Sequence, residues 1–406
     1  MVKLRALFTG GLAGKAYHTL YNKIEDFKLK YGIDVEIVDV LFYPDIYTKI
    51  EKEIIEGKKV EYDILSGHTS FIGSHGKYHL TLNEEFSEEE LSDFMERVLN
   101  ACKFNGNLLQ IPRHVDVRIL YYRTDLFNDP KEKEAFEKKF GYELKPPENW
   151  EMLKDIAIHF TRPPDLYGFS FVGKKHPLVG TFMELLAMCG GSLIDEEGNP
   201  SFNDEYGEQA LQFLVDLYRK CKVTPPNTPD YLYEDVTRDF RKGRVAMVFD
   251  WPGVFGSLNN PKKSMVAEKF DFALYPKGPI GKRYVYGGAH TFALYKGTKN
   301  KEESLKLLKF LTSEESQYFE YKSEGFLPVR RSVWNRIVSE AEESRNLKEI
   351  KRLKIFRETI EKFYYPVKVK DWVKFYESVW PSLNKALRGE LTVKEALKEA
   401  FNSVTK

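Results

Sequence analysis

The sequence predicts an α/β protein built from two domains, and three observations support this fold class. The chain has 406 residues, which is more than a single hydrophobic core usually organises. Strand and helix patterns alternate at the start of the chain, and from residue 301 onward the patterns are almost all helical. No stretch approaches the roughly 18 continuous apolar residues of a membrane helix.

The opening segment is predicted to form a βαβαβ unit. Strand patterns cover residues 2–8, 33–37 and 62–65. The first helix has apolar residues from Tyr17 to Tyr31 at close to a helical period, and the second helix ends at Gly57. Such crossovers favour a parallel sheet, and ligands bind beyond the carboxyl ends of its strands. The loops expected to face a ligand are the glycine-rich loop 9–14, the aromatic loop 42–44 and the loop 66–70.

The later elements are predicted from capping residues, turns and short apolar runs. Capping boxes begin helices after Ser87 and Thr392, and another helix covers 205–220. Residues 198–200 read as the turn of a short hairpin. Further strands are predicted over 107–111, 115–122, 245–249 and 291–295.

Charge and cysteine content exclude several classes of protein. The 62 Lys and Arg residues and the 61 Asp and Glu residues nearly cancel, whereas a nucleic-acid-binding protein normally shows a basic excess or stripe. Cys102, Cys189 and Cys221 lie far apart and lack CxxC spacing, so they indicate neither a disulfide framework nor a zinc site. We expect three buried free thiols, although one disulfide is arithmetically possible.

One glycine-rich segment resembles a phosphate-binding loop without meeting its requirements. In Gly10–Lys15, three residues separate the glycines where the motif needs four. Ala16 follows the lysine, so the Mg²⁺-binding hydroxyl is missing. The segment is therefore predicted to be a tight turn in a ligand-facing loop.

Three histidines raise the question of a metal site. His75 and His79 have the spacing of a helical metal pair, with His68 nearby. Gly73 and Gly76 argue against a helix there, and no carboxylate pattern accompanies the histidines. The sequence therefore predicts no metal and no cofactor.

Eight segments, spread in matching order over nearly the whole chain, resemble bacterial extracellular solute-binding proteins of the family that includes the maltodextrin-binding protein. The segments are 27–35, 62–65, the strand pair 105–112 with 120–127, 190–193, 240–247, 250–253, 311–317 and 325–330. Arg123 stands where Asn is common in that family. The resemblance implies a two-lobed α/β periplasmic-binding-protein fold of type II, in which a hinge of chain crossovers joins the lobes and the ligand cleft lies between them.

The resemblance also implies how the chain divides. The N-terminal lobe is expected to comprise residues 1–115 and 291–326, and the C-terminal lobe residues 116–290 and 327–406. Crossovers are expected near 113–117, 286–291 and 325–330. Gly287, Gly288 and Gly325 in the last two could absorb changes of backbone angle.

The function implied is that of the solute-binding component of an ABC transporter. Such a protein captures a sugar, either a mono- or oligosaccharide or a polyol, by hinge closure and delivers it to membrane permease subunits without catalysis. We expect a carbohydrate ligand, a monomer and no nucleic-acid partner.

The start of the chain bears on the location. It reads as a strand and lacks the features of a signal peptide. Alone this favours a cytoplasmic protein. Together with the resemblance it indicates that a signal has been removed and that the protein is periplasmic or extracellular, attached to the cell envelope through the permease or a lipid anchor absent from this chain. Both interpretations stay open from the sequence alone.

A sugar site needs planar polar side chains around the ring edge and aromatic rings against the apolar C–H faces. The predicted ligand-binding residues are Tyr43, His68, Thr69, Arg113, His114, Asp116, Phe182, Asp250, Trp251, Gly253, Tyr286, Gly288 and His290. By the resemblance, Asp116 matches a ligand-contacting carboxylate, and Trp251 lies in a loop that places an aromatic ring against the ligand.

Several of these residues could have a structural role in place of ligand contact. Asp116 could form a hinge salt bridge with Arg113. Core packing could account for Trp251, Phe182 and the nearby Glu184. A structural hydrogen bond could account for Tyr286 and His290.

Two further functions stay open from the sequence. The same fold could bind a non-sugar solute, although phosphate, sulfate and polyamine sites use more charges and fewer aromatic residues. A carbohydrate-active hydrolase would need two carboxyl groups roughly 5–9 Å apart, and the sequence singles out no such pair. It also lacks a G-x-S-x-G nucleophile elbow and a dinucleotide fingerprint.

Overall fold

A computed structural model of the chain describes residues 2–10 and 18–405. Residues 11–16 of the glycine-rich segment and Tyr17 lie outside the described residues. The chain divides into two compact units. The first comprises Met1–Asp116, Gly287–Asn346 and Pro366–Trp372, and the second comprises Val117–Tyr286, Leu347–Tyr365 and Val373–Lys406.

The described residues form an α/β structure. In chain order the strands are β1 (Lys3–Phe8), β2 (Asp34–Val40), β3 (Ile64–His68), β4 (Lys103–Phe104), β5 (Asn107–Leu108), β6 (Ile111–Val117), β7 (Ile119–Arg123), β8 (Tyr167–Ser170), β9 (Val245–Asp250), β10 (Phe270–Ala273), β11 (Val285–Leu294) and β12 (Tyr364–Tyr365). The α-helices are α1 (His18–Tyr31), α2 (Tyr43–Ile55), α3 (Ile72–His75), α4 (Glu88–Ser92), α5 (Glu96–Ala101), α6 (Thr124–Phe127), α7 (Pro130–Phe140), α8 (Trp150–Phe160), α9 (Lys175–Cys189), α10 (Glu205–Val215), α11 (Tyr233–Arg241), α12 (Phe255–Leu258), α13 (Lys301–Leu311), α14 (Glu314–Glu324), α15 (Arg331–Glu343), α16 (Leu347–Glu358), α17 (Trp372–Arg388) and α18 (Val393–Val404).

The first unit is built around a sheet in the order β2-β1-β3-β11, with β6 also paired to β11. β1 runs parallel to both β2 and β3, which confirms the parallel sheet predicted from the βαβαβ pattern. Leu7 of β1 and Ile46 and Ile50 of α2 are fully buried in its core. β11 runs antiparallel to β3, with His290 opposite His68. This register brings two predicted site residues together at the carboxyl end of β3.

The aromatic segment 42–44 is only partly a loop. The sequence predicts a loop there, and this prediction is wrong for Tyr43 and Pro44 because α2 begins at Tyr43. Proline is favoured in the first helical turn, where its missing N–H leaves no hydrogen bond unmade. Phe42 precedes the helix and is 56% exposed, whereas Tyr43 is 5% exposed. The Tyr43 ring is therefore held by a helix.

The segment that contains Gly73 and Gly76 is helical, contrary to the prediction from its glycines. It forms α3 and then a short 3-10 turn, Gly76–Tyr78. A Cβ atom on Gly73 would lie 2.5 Å from the Lys370 carbonyl oxygen, and one on Gly76 would lie 2.7 Å from Leu109 Cδ1. Close packing within the first unit therefore explains these glycines.

The second unit contains a four-stranded sheet in the order β10-β7-β9-β8. β9 pairs antiparallel with β7 and parallel with β8, and its residues Val245–Val248 are fully buried. In α9 every residue from Pro177 to Cys189 is buried. Asp250 ends β9, so the segment 251–253 leaves the sheet at the carboxyl end of one of its two central strands.

Several local predictions hold and others need adjustment. The capping boxes at Ser87 and Thr392 are confirmed. The helix predicted over 205–220 is α10 followed by a π-helical turn, Asp216–Lys220. The strand predicted over 115–122 is divided into β6 and β7 at Arg118.

All three cysteines are free, which confirms the expected thiols, although Cys221 is only partly buried. In the part of the chain that the structure describes, no helix has the length and apolar character needed to cross a membrane.

The two units differ from the expected lobes in the C-terminal part of the chain. The resemblance assigns residues 327–406 to the C-terminal lobe, whereas residues 327–346 and 366–372 belong to the first unit. α15 packs against α14 of the same unit. Trp334 Nε1 donates to the Pro328 carbonyl oxygen over 2.7 Å, and Arg330 Nε donates to that of Thr312 over 2.8 Å. These hydrogen bonds tie the start of α15 to the first unit.

Candidate ligand-binding site

The first unit brings five predicted residues together in what we call the histidine cluster: Tyr43, His68, His114, Asp116 and His290. His290 lies at its centre, with Nε2 3.0 Å from Asp116 Oδ2 and Nδ1 in a short hydrogen bond with the Tyr43 hydroxyl. The His290 ring stacks on His114 with centroids 4.1 Å apart and meets His68 edge-on at 5.2 Å. The side chains of His290 and Asp116 are 16% and 31% exposed. These two therefore offer polar groups to solvent.

Arg113 and His114 are almost completely buried. Arg113 Nε donates to Glu320 Oε1 over 2.6 Å. Asp116 pairs with His290. These two pairs take the place of the hinge salt bridge that the sequence analysis considered between Arg113 and Asp116. Burial raises the pKa of Glu320 to about 7 and lowers the pKa of His114 well below its usual value. The Arg113–Glu320 pair is a structural element beside the cluster.

Thr69 and Gly288 hold β11 against the end of β3. The Ala289 amide donates to Thr69 Oγ1 over 3.0 Å, and Thr69 is 1% exposed. A Cβ atom on Gly288 would lie 2.2 Å from Cε1 of His68. Only glycine at position 288 therefore leaves room for the His68 ring. Thr69 and Gly288 thus hold the backbone that carries the cluster in place.

A buried ion pair lies at the centre of the candidate site in the second unit. Arg118 Nη2 donates to Glu184 Oε1 over 2.6 Å and to Thr181 Oγ1 over 3.2 Å. Glu184 also accepts hydrogen bonds from the Tyr275 hydroxyl over 3.1 Å and from the Tyr286 amide over 2.9 Å. Arg118 and Glu184 are 3% and 0% exposed. Glu184 is therefore a core residue that fixes the start of β11.

Three aromatic rings surround this ion pair, and we call Tyr233, Trp251 and Tyr286 the aromatic group. Their centroids lie 6.0, 5.6 and 5.9 Å from Arg118 Cζ. Trp251 meets Tyr233 at 5.2 Å and Tyr286 at 6.1 Å, both nearly perpendicular. Tyr233 and Trp251 are partly exposed, and Tyr286 is buried against Gly180. The group presents ring surface on a rigid support.

Asp250 fixes the segment that carries Trp251. Its Oδ2 accepts from Thr237 Oγ1 over 2.6 Å, and its Oδ1 accepts from the Trp251 amide over 2.8 Å. The carboxyl group is 1% exposed, and burial raises its pKa to about 7. Both oxygens are therefore used to position the loop.

Two predicted residues of the second unit lie outside the aromatic group. Phe182 is fully buried in α9, and its ring meets that of Phe202 edge-on at 6.1 Å, which fits a role in core packing. Gly253 is exposed, and a Cβ atom there would meet no atom within 4 Å. Close packing therefore does not require a glycine at position 253.

The sequence analysis missed Arg118 and Tyr233. Arg118 is a lone charge in the apolar run 117–122, and such a charge is rarely buried without a partner. That signal could have identified it. Tyr233 begins α11 without a local signal, because its position depends on how α11 packs beside β9.

Two of the three histidines considered from the sequence for a metal site, His75 and His79, contact the same tyrosine. The His75 ring stacks on Tyr47 at 3.7 Å, and His79 Nε2 lies 2.6 Å from the Tyr47 hydroxyl. Burial lowers the pKa of both histidines to about 3. Among residues 2–10 and 18–405, a different group of side chains lies close enough together to hold an ion. It consists of His114, Asp116 and His290.

Comparison with known families matches residues 23–345 to the family described as bacterial extracellular solute-binding protein. Among curated proteins, one of Brucella abortus with a provisional name as a binding protein is 27% identical over 251 residues, which cover 62% of this chain and 56% of that protein. The chain thus spans a little over half the length of the first curated relatives it matches.

Solved structures show the same likeness over the whole chain. Maltose-bound MalE3 of T. maritima has a TM-score of 0.80 at 25% identity, and the match covers 100% of this chain and 99% of that one. A ribitol-bound ABC transporter solute-binding protein of Agrobacterium radiobacter has a TM-score of 0.78 at 22% identity, covering 99% and 97%. These matches show that the chain shares the two-lobed α/β fold of those proteins.

Proposed function

The chain belongs to the bacterial extracellular solute-binding protein family, and on this premise we propose that it captures a sugar or polyol by hinge closure and delivers it to the permease subunits of an ABC transporter. The protein releases the ligand chemically unchanged. It works as a monomer, without nucleic acid, in the periplasm or at the outer face of the cell envelope.

The observation that carries this proposal is the aromatic group of the second unit. Trp251 and Tyr233 are partly exposed and nearly perpendicular, with centroids 5.2 Å apart. Aromatic faces pack well against the apolar C–H faces of sugars. The nearby positive charge of Arg118 is neutralised by Glu184 over 2.6 Å. The group therefore favours an uncharged ligand over phosphate or sulfate, whose sites depend on charges or helix N-termini.

The histidine cluster supplies the hydrogen bonds that such a ligand needs. Sugar hydroxyls both donate and accept, so carboxylate and imidazole groups suit them. The Asp116 and His290 side chains are 31% and 16% exposed, so both reach solvent. The solved relatives bound to maltose and to ribitol support a ligand of this class.

A thermal-shift screen tests the proposal. Purified protein is heated with monosaccharides, disaccharides, short oligosaccharides and polyols, with phosphate, sulfate and polyamines as controls. A ligand at a hundred times its Kd stabilises the folded state by about 2.7 kcal/mol, which raises the Tm by a few degrees. We expect a sugar or polyol to do so and to be recovered intact.

Two results of the screen would contradict parts of the proposal. A response to a charged solute alone would keep the transport role and overturn the carbohydrate ligand. Hydrolysis products in the recovered ligand would contradict a pure binding protein.

A tryptophan pair makes the test specific. Trp251→Ala should weaken binding of the identified sugar at least about tenfold, which is about 1.4 kcal/mol. Trp380→Ala is the matched control, because Trp380 belongs to α17 and its Nε1 donates to Glu377. Equal losses from both variants would mean that the effect is not specific to the aromatic group.

A further inference from the structure

The histidine cluster contains three side chains whose donor atoms lie close enough together to hold a metal ion. His114, Asp116 and His290 each place a nitrogen or oxygen within 4.8 Å of the other two. His290 Nε2 and Asp116 Oδ2 are already 3.0 Å apart. Bonds of about 2.1 Å to a tetrahedral ion place neighbouring ligand atoms roughly 3.4 Å apart. One edge of a metal site is therefore formed, and His114 supplies a third donor atom within 4.8 Å of the other two.

His290 has a hydrogen-bond partner for the nitrogen that would not bind an ion, and a carboxylate oxygen lies near the corresponding nitrogen of His114. His290 Nδ1 is hydrogen-bonded to the Tyr43 hydroxyl, which leaves Nε2 for the ion. His114 Nδ1 lies 3.8 Å from Glu320 Oε2, a buried oxygen that makes no hydrogen bond within the described part of the chain. Metal-binding histidines almost always use their second nitrogen in this way, because the hydrogen bond fixes the tautomer and the ring orientation.

The surrounding charges also suit a cation. Arg113 is the positive charge beside the donor atoms, and it pairs with Glu320 over 2.6 Å. Because Glu320 neutralises Arg113, the negative charge of the Asp116 carboxylate stays available to attract a cation. Asp116 and His290 are 31% and 16% exposed, so an ion can reach them from solvent.

We propose that His114, Asp116 and His290 bind a divalent transition-metal ion of the zinc, cobalt or nickel class. Two imidazoles and one carboxylate suit these ions, whereas Mg²⁺ and Ca²⁺ prefer oxygen ligands. The ion takes the place of the hydrogen between His290 and Asp116. Three protein ligands leave an open position for water or for a hydroxyl of a bound solute. The site is complete within the first unit, so it goes beyond the proposed function and does not depend on it.

Titration with Co²⁺ alone tests the site in the absence of sugar. The full chain, without a polyhistidine tag and stripped of metal with a chelator, is titrated with Co²⁺ while its visible ligand-field absorption is recorded. We expect the absorption to saturate at one equivalent and to disappear when Zn²⁺ is added. Failure to develop saturable absorption would overturn the proposal.

Matched variants locate the ion. His290→Gln and Asp116→Asn should each weaken Co²⁺ binding at least tenfold, and their partial exposure favours retention of the fold, which the Tm checks. His159→Gln is the control, because His159 forms a histidine–carboxylate pair with Glu132 over 2.8 Å in the second unit. Binding that survives in the first two variants, or that is lost in the control, would contradict the assignment.

Tyr43 is a positioning residue for the proposed site. Tyr43→Phe removes the hydroxyl that orients His290, so we expect Co²⁺ affinity to fall roughly tenfold and the absorption band to shift. An unchanged band would show that Tyr43 does not act on the ion.

The same preparations separate this proposal from the proposed function. Sugar binding in the presence of chelator, without any Co²⁺ signal, would overturn the metal site alone. A Co²⁺ signal without a response to sugars would leave the metal site and overturn the sugar ligand.

Discussion

Burial of Asp250 makes the stability of the protein depend on pH. The carboxyl group is 1% exposed, and burial raises its pKa from 3.8 to about 7. The folded state therefore holds this proton more tightly than the unfolded state. The resulting stability is present in full below about pH 4 and is lost as the pH rises to about 7. One pKa unit corresponds to about 1.4 kcal/mol, so the loss is roughly 4 kcal/mol.

Replacement of Asp250 by asparagine should remove this loss. The amide can still accept from the Trp251 N–H and can donate to Thr237, the two groups that contact the carboxylate. We therefore expect Asp250→Asn to match the wild-type Tm near pH 4 and to exceed it increasingly toward pH 7. Asp165→Asn, at an exposed carboxylate, is the control. A difference in Tm that stays constant with pH would contradict the raised pKa.

The sequence predicts candidate residues better than it predicts their roles. The resemblance selects Asp116 and Trp251, and both have partly exposed side chains in the two candidate groups. The predicted site also includes Arg113, whose partner Glu320 lies 207 positions away along the chain. No local pattern reveals such a partner, so burial and pairing emerge only from the fold. Contact of any of these residues with a ligand stays a prediction.

At the scale of an element, the Tyr286 ring packs directly against Gly180 of α9, in the space that a larger side chain would fill. A Cβ atom on Gly180 would lie 2.6 Å from Cε1 of this ring. Alanine in a helix interior normally gains about 1 kcal/mol over glycine, but overpacking costs roughly 1–3 kcal/mol. We expect Gly180→Ala to lower the Tm and to weaken sugar binding, because the added Cβ atom would displace the Tyr286 ring from its contact with Trp251.

Gly256 in α12 provides the matched control for Gly180. A Cβ atom there would meet no atom within 4 Å. Gly256→Ala should leave sugar binding unchanged and should keep or slightly raise the Tm, which scanning calorimetry and isothermal titration can measure. If Gly180→Ala behaves like this control, Tyr286 does not depend on close packing against α9.

Elements defined by local patterns are the ones that the sequence predicts well. β1, β2 and β3 alternate with α1 and α2, and each has its own apolar period and stop signal. β12 has only two residues, Tyr364 and Tyr365, and it exists because they pair with Val285 and Tyr286 of β11. The helix start at Tyr43 likewise depends on context. Pairing between distant segments therefore marks the limit of the prediction.

At the scale of the whole molecule, the chain passes between its two units five times. The passages follow Asp116, Tyr286, Asn346, Tyr365 and Trp372. The first two fall within the crossovers expected near 113–117 and 286–291, whereas the later three have no counterpart in the sequence analysis. The segments 347–365 and 366–372 are short insertions of one unit into the sequence of the other. No change of amino-acid composition marks their ends, so sequence patterns do not reveal them.

Hinge closure, as proposed, makes a prediction for the molecule as a whole. A ligand that binds the closed form better shifts the population toward it. The radius of gyration from small-angle scattering should therefore fall when the identified sugar is added at saturation. Trp251→Ala, measured at the same sugar concentration, should show a smaller change or none. Calorimetry run in parallel reports whether the sugar is bound. Bound sugar with an unchanged radius of gyration would contradict closure while leaving the binding function intact, because capture would then occur on a preformed site and not through a change of shape.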